Sequence, residues 1–285
     1  MSSQFGPNPW QQTSWDWRAA GNFIGGGAGS GLLITGALLA PPDATSAGAT
    51  HWLLLGLALV GLGLTCVWLE IGRPWRALHV FFNPRTSWMS REAFVALLLF
   101  PAGLMALLDV RGALWATAVL ALAFLYCQSR MLPAARGIPA WRARLLTPLI
   151  FITGLTEGCG LFLLLGALQG RLPQALLGLL ALLLVARLLI WTLYRSSVNA
   201  SLAARARVAL DRAGRGLLLG TLVPALLLGA SVWLPGAQAL LVALAAASAV
   251  LVGAYLKYTL VTRASFNQGF ALTHLPVRGV RTMIS

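Results

Sequence analysis

WLEIGRPWRALHVFFNPRTSWMSRE, Trp68 to Glu92, joins two segments that are each long and apolar enough to cross a bilayer. A connection between membrane helices needs only turn chemistry, and this one carries far more. Gly72-Arg73-Pro74 and Asn83-Pro84-Arg85 are rigid corners, because proline fixes its own φ and restricts the residue before it. Four of the chain's 21 basic residues and two of its seven acids fall here, with His79, one of three histidines. Glu70 closes the helix before the connection and Glu92 opens the helix after it. A loop that only holds membrane orientation by positive charge needs neither acids nor paired proline corners. The stretch reads as the wall of a site, with charge-held orientation as the plainer alternative.

On either side the chain is almost wholly apolar. Of its 285 residues 58% are hydrophobic and 10% charged, with mean hydropathy +0.79. Soluble domains carry about 25% charged residues, so this is an all-α polytopic membrane protein. Eight spans of roughly 20 residues are predicted, at Ala19–Ala40, Trp52–Ile71, Arg91–Val110, Gly112–Met131, Leu145–Leu168, Pro173–Tyr194, Gly216–Leu234 and Gly236–Val261. The third and fourth are joined at Asp109 to Gly112, and the seventh and eighth at Leu234-Pro235-Gly236, as tight antiparallel pairs. The polar, aromatic N-terminus lacks the basic-then-apolar order of a signal peptide.

The net charge of +14 would suggest nucleic acid in a soluble protein. Here the basic residues mark topology instead, and no nucleic acid is expected. Arg111 and Arg171 are alone on one side, and Arg187 lies inside a span. The other eighteen, Lys257 among them, fall on the side of the Trp68–Glu92 connection. The positive-inside rule puts that side, with both termini, in the cytoplasm of a bacterial inner membrane.

The first and fifth spans look alike. Gly29-Ser-Gly31-Leu32 with Gly36-Ala-Leu38 parallels Gly158-Cys-Gly160-Leu161 with Gly166-Ala-Leu168, with one residue of slippage. This suggests parallel duplication of a four-helix unit, against shared small-residue helix packing as the alternative. The run from Gly25 to Gly31 demands close approach by a neighbouring helix or a flat ligand.

Ionisable groups within spans point to function. Glu157 lies roughly 18 Å along the fifth helix and Arg187 roughly 12 Å from the end of the sixth. An extended arginine bridges that difference, so the two are expected to touch or to share one water, as a structural ion pair or on a proton route. Asn22, Glu70, Arg73, His79, Glu92, Tyr126, Gln128 and Arg130 reach one depth at the connection side, from four helices. Singly each is an interfacial residue. Together, beneath the glycine-rich span, they form the polar end of an apolar pocket suited to an amphiphilic ring with two carbonyls and a long tail. Histidine, arginine, asparagine or tyrosine would bond the carbonyls, and a carboxylate would exchange protons.

Haem between helices requires histidines inside spans, and His51, His79 and His274 are not. Cys66, Cys127 and Cys159 form no C-x-x-C pair, so this chain alone carries no iron–sulfur cluster or structural zinc. No P-loop or dinucleotide fingerprint is present. Electrons would have to pass to or from a partner.

Glu70-Ile-Gly72-Arg73-Pro74-Trp-Arg76-Ala77 and Asn83-Pro84-Arg85-Thr86-Ser87-Trp88-Met89-Ser90-Arg91-Glu92 resemble the signature of the DMSO-reductase membrane-anchor subunits, relatives of the polysulfide-reductase (NrfD-type) subunits. Pro139-Ala140-Trp141 is similar to that family's motif after the fourth span. The resemblance implies two four-helix bundles, here 19–131 and 145–263, with cytoplasmic segments at 1–18, 132–144 and 264–285. It implies a quinone site near the face that meets a four-cluster ferredoxin-like iron–sulfur subunit, which serves a molybdenum or tungsten bis-pterin catalytic subunit. The family's acid falls on Glu92. Its histidine falls on Glu70, with His79 as a substitute. Arg76 joins Asn22, Arg73, Tyr126, Gln128 and Arg130 as quinone-binding candidates, and Asn83, Arg85, Trp88 and Arg142 are expected to dock the partner. The chain ends, Pro7-Asn-Pro9-Trp10 to Arg18 and Phe266-Asn267-Gln268-Gly269 to Gly279, resemble membrane subunits of phenylacetyl-CoA:acceptor oxidoreductases. A quinone-reactive subunit without haem, cluster or metal of its own is the leading expectation. The rivals are an ion-coupled transporter, suggested by Glu157, Arg187 and Lys257, and a purely structural anchor.

Overall fold

A computed structural model describes residues 8–39, 46–71, 74–170 and 172–269. Among the described residues, eight helices are long and apolar enough to cross a membrane. They are α1 Trp17–Leu39, α2 Ser46–Glu70, α3 Trp88–Leu107, α4 Ala113–Ala134, α5 Leu146–Leu168, α6 Gln174–Val198, α7 Ala204–Trp233 and α8 Gln238–Tyr258. Helices satisfy every backbone group within the segment, which hydrocarbon requires. The Asp109–Gly112 corner is tight because both end residues are left-handed, Asp109 at φ 55° and Gly112 at φ 78°.

The helices form two four-helix bundles that pack in the same manner. In the first, α1 lies on α2 and α4, and α3 joins α2 to α4; in the second, α5 lies on α6 and α8, and α7 joins α6 to α8. Between them α1 meets α5, α1 meets α8, and α4 meets α5. Exchanging the halves maps this set of contacts onto itself. The α1–α5 seam is made of glycines. A β-carbon on Gly31 or Gly158 would strike the backbone of the other helix, and one on Gly154 would lie 3.1 Å from the Gly27 carbonyl. Gly25 and Gly29 meet α2 in the same way, against Leu59, Gly63 and Gly56. The glycine run thus answers to helices on two of its sides, as small residues at fourfold spacing permit.

Helix α7 begins at Ala204, a full three turns before the predicted start at Gly216. Ala206, Leu210, Ala213 and Leu217 are buried at helical spacing while Arg205, Arg207, Arg212 and Arg215 face outward. This amphipathic extension is stable through one buried stripe and has too many charges to read as a span. Its Asp211 pairs with Arg195 of α6 at 2.6 Å.

The two chain ends are stitched together on the connection-bearing face. Gln11 pairs with Phe266, and the Trp10 and Asn267 backbones bond at 3.0 Å. Helix α8 passes into a π-helical turn, Thr259–Arg263. Its carbonyls are taken up by the neighbours: Trp141 donates to Leu260 at 2.8 Å, and Gln11 donates to Thr262. Tyr194 donates to the Ala140 carbonyl at 2.8 Å, so Pro139-Ala140-Trp141 serves as a brace between α6 and α8. Asp16 caps α1 by accepting from the Arg18 N–H at 2.8 Å. The Arg18 guanidinium beside it holds the Asp16 carboxyl below its ordinary range.

Candidate functional site: a buried carboxylate beside paired cavities

The connection folds tightly around its motif. Residues Pro74–Phe82 form a 3-10 helical segment. The Asn83 carbonyl then accepts the Thr86 and Ser87 N–H groups at 3.3 and 3.0 Å. Ser87 caps α3 by accepting from Ser90 N–H at 3.3 Å. Arg91 clasps the corner by donating to the Pro84 and Arg85 carbonyls at 2.8 and 2.7 Å. Its guanidinium also lies 4.1 Å from the Trp88 ring, with Arg130 at 4.9 Å and Tyr126 edge-on at 5.8 Å. The cap, clasp and cation–π stack fix where α3 starts. The next residue, Glu92, then turns inward and is buried.

Three helices meet at that carboxylate. Asn22 of α1 donates to it at 3.4 Å, and Gln128 of α4 donates to it at 3.3 Å and to the Asn22 carbonyl at 2.9 Å. Neutral amides are the partners of Glu92, and it belongs to no ion pair among the described residues. Two adjoining cavities flank the cluster. The first, about 320 Å³, is lined by Ser14, Trp15, Asn22, Phe23 and Glu70. The second, about 420 Å³, lies between α2 and α3 and is lined by Leu64, Glu92, Leu97 and Phe100. Val67, Ile71 and Met89 border both. Together they give a polar end and an apolar run opening between two helices.

Asn22, Gln128, Glu70 and Glu92 are thus gathered at one place, as the sequence predicts. Other candidates lie elsewhere. His79 is exposed, approaches the Arg76 carbonyl at 3.2 Å and stacks on Phe82, so it does not replace the family histidine at the cavities. Tyr126 and Arg130 turn away from Gln128 to brace Trp88, because alternate positions on a helix face different sides. Arg76 is exposed on the 3-10 segment. Arg73 lies outside the described residues, as do Arg171, His274, Arg278 and Arg281. Of the expected docking residues, Asn83 and Arg85 are exposed, Trp88 is held in the stack, and Arg142 donates to Gln268 at 3.0 Å.

No protein-family model matches the chain, and no curated protein matches it.

A second buried group sits deeper. Glu157 of α5 pairs with Lys257 of α8 at 2.5 Å, both essentially unexposed. Glu157's direct partner is therefore Lys257, and Glu157 and Arg187, expected to touch or to share one water, are not in direct ion-pair contact. Arg187 donates instead to the Ala249 carbonyl at 3.0 Å and the Gly220 carbonyl at 3.5 Å. Lys257 is buried within the bundle although it is near the end of α8. Lysine's long stem then reaches mid-membrane. Sequence reading places Lys257 among the interfacial cations; its being the only lysine beside 20 arginines is the signal that sets it apart. Arginine is always charged and strongly topogenic, while lysine changes protonation when buried.

Proposed function

We propose that the chain is the quinone-reactive membrane subunit of an oxidoreductase complex, with Glu92 as its proton-exchanging group. The observation that supports this reading most is a buried carboxylate with only neutral partners, at the border of a long apolar cavity. Asn22 and Glu92 would hold the head group, and Leu64, Leu97 and Phe100 would line the tail. A bound quinone supplies two-electron, two-proton chemistry. The chain's own part is to place donors at the polar end, exclude water, and take or give a proton at Glu92 Oε atoms. The unpartnered Asn22 Oδ1 is a further acceptor at the same end. A carboxylate paired to a cation would hold its charge too firmly for that task.

The test is Glu92→Gln in the native complex. Quinone turnover should fall at least about 100-fold, the usual scale for a lost acid–base group, while activity with artificial dyes persists. Unchanged quinone turnover would defeat the proposal. Glu157, Lys257 and Arg187 favour the transporter reading, which predicts the reverse ranking of the two acids.

The partners that this reading requires are an iron–sulfur subunit and a molybdenum or tungsten bis-pterin subunit on the arginine-rich face. That face is proposed to be cytoplasmic, on the bias of eighteen basic residues against two. A cytoplasmic site suits a CoA thioester, which is bulky, anionic and made inside the cell, in keeping with the resemblance to phenylacetyl-CoA oxidoreductases. A reporter fused after Ser285 should be active only in its cytoplasmic form; activity of an exported form alone would reverse the orientation.

A further inference from the structure

The two buried acids belong to different bundles, yet their partners converge at one glycine. Gln128 uses its Nε2 on Glu92 and on Asn22, and its Oε1 is buried with no partner among the described residues. A β-carbon built on Gly27 would lie 3.1 Å from that Oε1 and closer still to Lys257 Nζ. Both atoms are therefore within 3.1 Å of one point, and no more than twice that apart. They do not bond each other. Two groups bonded to one water at a tetrahedral angle lie roughly 4.5 Å apart, which fits such a gap. On the far side of Lys257, Glu157 Oε1 and Arg187 Nε are likewise buried without partners. Four unpartnered polar atoms, Asn22 Oδ1, Gln128 Oε1, Glu157 Oε1 and Arg187 Nε, thus occur in neighbouring residues of α1, α4, α5 and α6. Buried polar atoms in proteins nearly always have partners, and ordered water supplies those that side chains do not.

We propose that water held against Gly27, between Gln128 and Lys257, joins Glu92 to the Glu157–Lys257–Arg187 group, so that the protonation of Glu92 is coupled to the charge of that group. Charge supports the coupling. Lys257 and Arg187 outnumber Glu157 by one, and Glu92, when ionised, is the other buried acid among the described residues that balances them. The titratable or charged groups facing this chain are Glu70 on α2, across the first cavity, Glu92 on α3, Cys127 on α4, Glu157 on α5, Arg187 on α6 and Lys257 on α8. The faces of α1 and α7 contribute Ser30 and Thr221, whose hydroxyls bond their own helices. Glu157 lies about 16 Å into α5, so the chain of polar groups runs from the connection-bearing face to mid-membrane. Beyond it lies a hydrophobic cluster that includes Cys159, Leu163, Leu180, Leu184 and Val242.

Gly27→Ala is the decisive variant, because its β-carbon fills the junction, pushes the flexible Lys257 ammonium away from Gln128 and removes no polar side chain. Gly229→Ala is its control, since a β-carbon there meets nothing within 4 Å. The readout is infrared spectroscopy of the purified chain in lipid nanodiscs with its co-purifying partners. Glu92's protonated-carboxyl band, assigned by its loss in Glu92→Gln, is followed against pH. Lys257→Met should move the midpoint to higher pH, at least tenfold lower in proton concentration, because the balancing cation is gone. Gly27→Ala should move it the same way by at least threefold, and Gly229→Ala should leave it unchanged. Shifts below threefold in Gly27→Ala overturn the proposal, as does the absence of a Glu92 band at any pH. Should Lys257→Met fail to fold, Gly27→Ala alone decides. No quinone enters the measurement, so its outcome is separate from the quinone-turnover test.

Discussion

Glu92 and Glu157 are both buried carboxylates in a membrane bundle, and the protein treats them differently. Glu92 stands among neutral amides from α1 and α4, with cavities at its side. Glu157 is clamped by Lys257, with Arg187 bonded to carbonyls of α7 and α8 close by. A carboxylate with amide partners can be held in either protonation state, since asparagine and glutamine present both donor and acceptor. A carboxylate against an ammonium is held ionised by its partner, and breaking that arrangement leaves a charge in hydrocarbon. The first arrangement suits exchange with a ligand. The second suits structure and electrostatic bias. Two carboxylates of one chain are given separate roles by their partners alone.

The sharpest way to break this comparison is to neutralise each acid and measure stability in detergent. Glu157→Leu strands Lys257 beside Arg187 and should cost about 3–5 kcal/mol, the scale for a broken buried pair. Glu92→Gln keeps its neighbours' hydrogen bonds and should change stability by less than about 1 kcal/mol. Equal losses in denaturation midpoints would show that both acids are structural. A smaller effect sharpens the picture of the seam that brings the two groups together. Gly158→Ala places a methyl on the α1 backbone and should cost about 1–3 kcal/mol, as overpacking does. Gly178→Ala, where a β-carbon meets nothing within 4 Å, should be neutral or slightly stabilising through better helix propensity. Matching melting temperatures for the two variants would mean that α1 and α5 separate freely.

The spans were legible because a bilayer imposes a length and a hydropathy that no tertiary contact revises. The start of α7 was not, because twelve residues with several arginines carry a buried stripe that averages away in a hydropathy window. The connection's importance was legible in its corners and acids. Which side chains it sends inward was not. Tyr126 and Gln128 are two residues apart and look equally suited to a carbonyl, yet one braces Trp88 and the other reaches Glu92. His79 has the right chemistry, but its 3-10 segment presents it to the outside.

Composition and periodicity alone determined an all-α, eight-span membrane protein, the face on which its arginines gather, and the need for close packing along Gly25–Gly31. Those properties follow from solvent and from local geometry, which act on each segment separately. Only the tertiary structure decided that Glu157 belongs to Lys257 rather than to Arg187. That choice depends on how α5, α6 and α8 are rotated about their axes. It also decided that the partners of two acids 65 positions apart, Gln128 and Lys257, approach the same glycine. Helix rotation is set by glycine seams between bundles, a property of pairs of helices that no single helix carries in its own sequence.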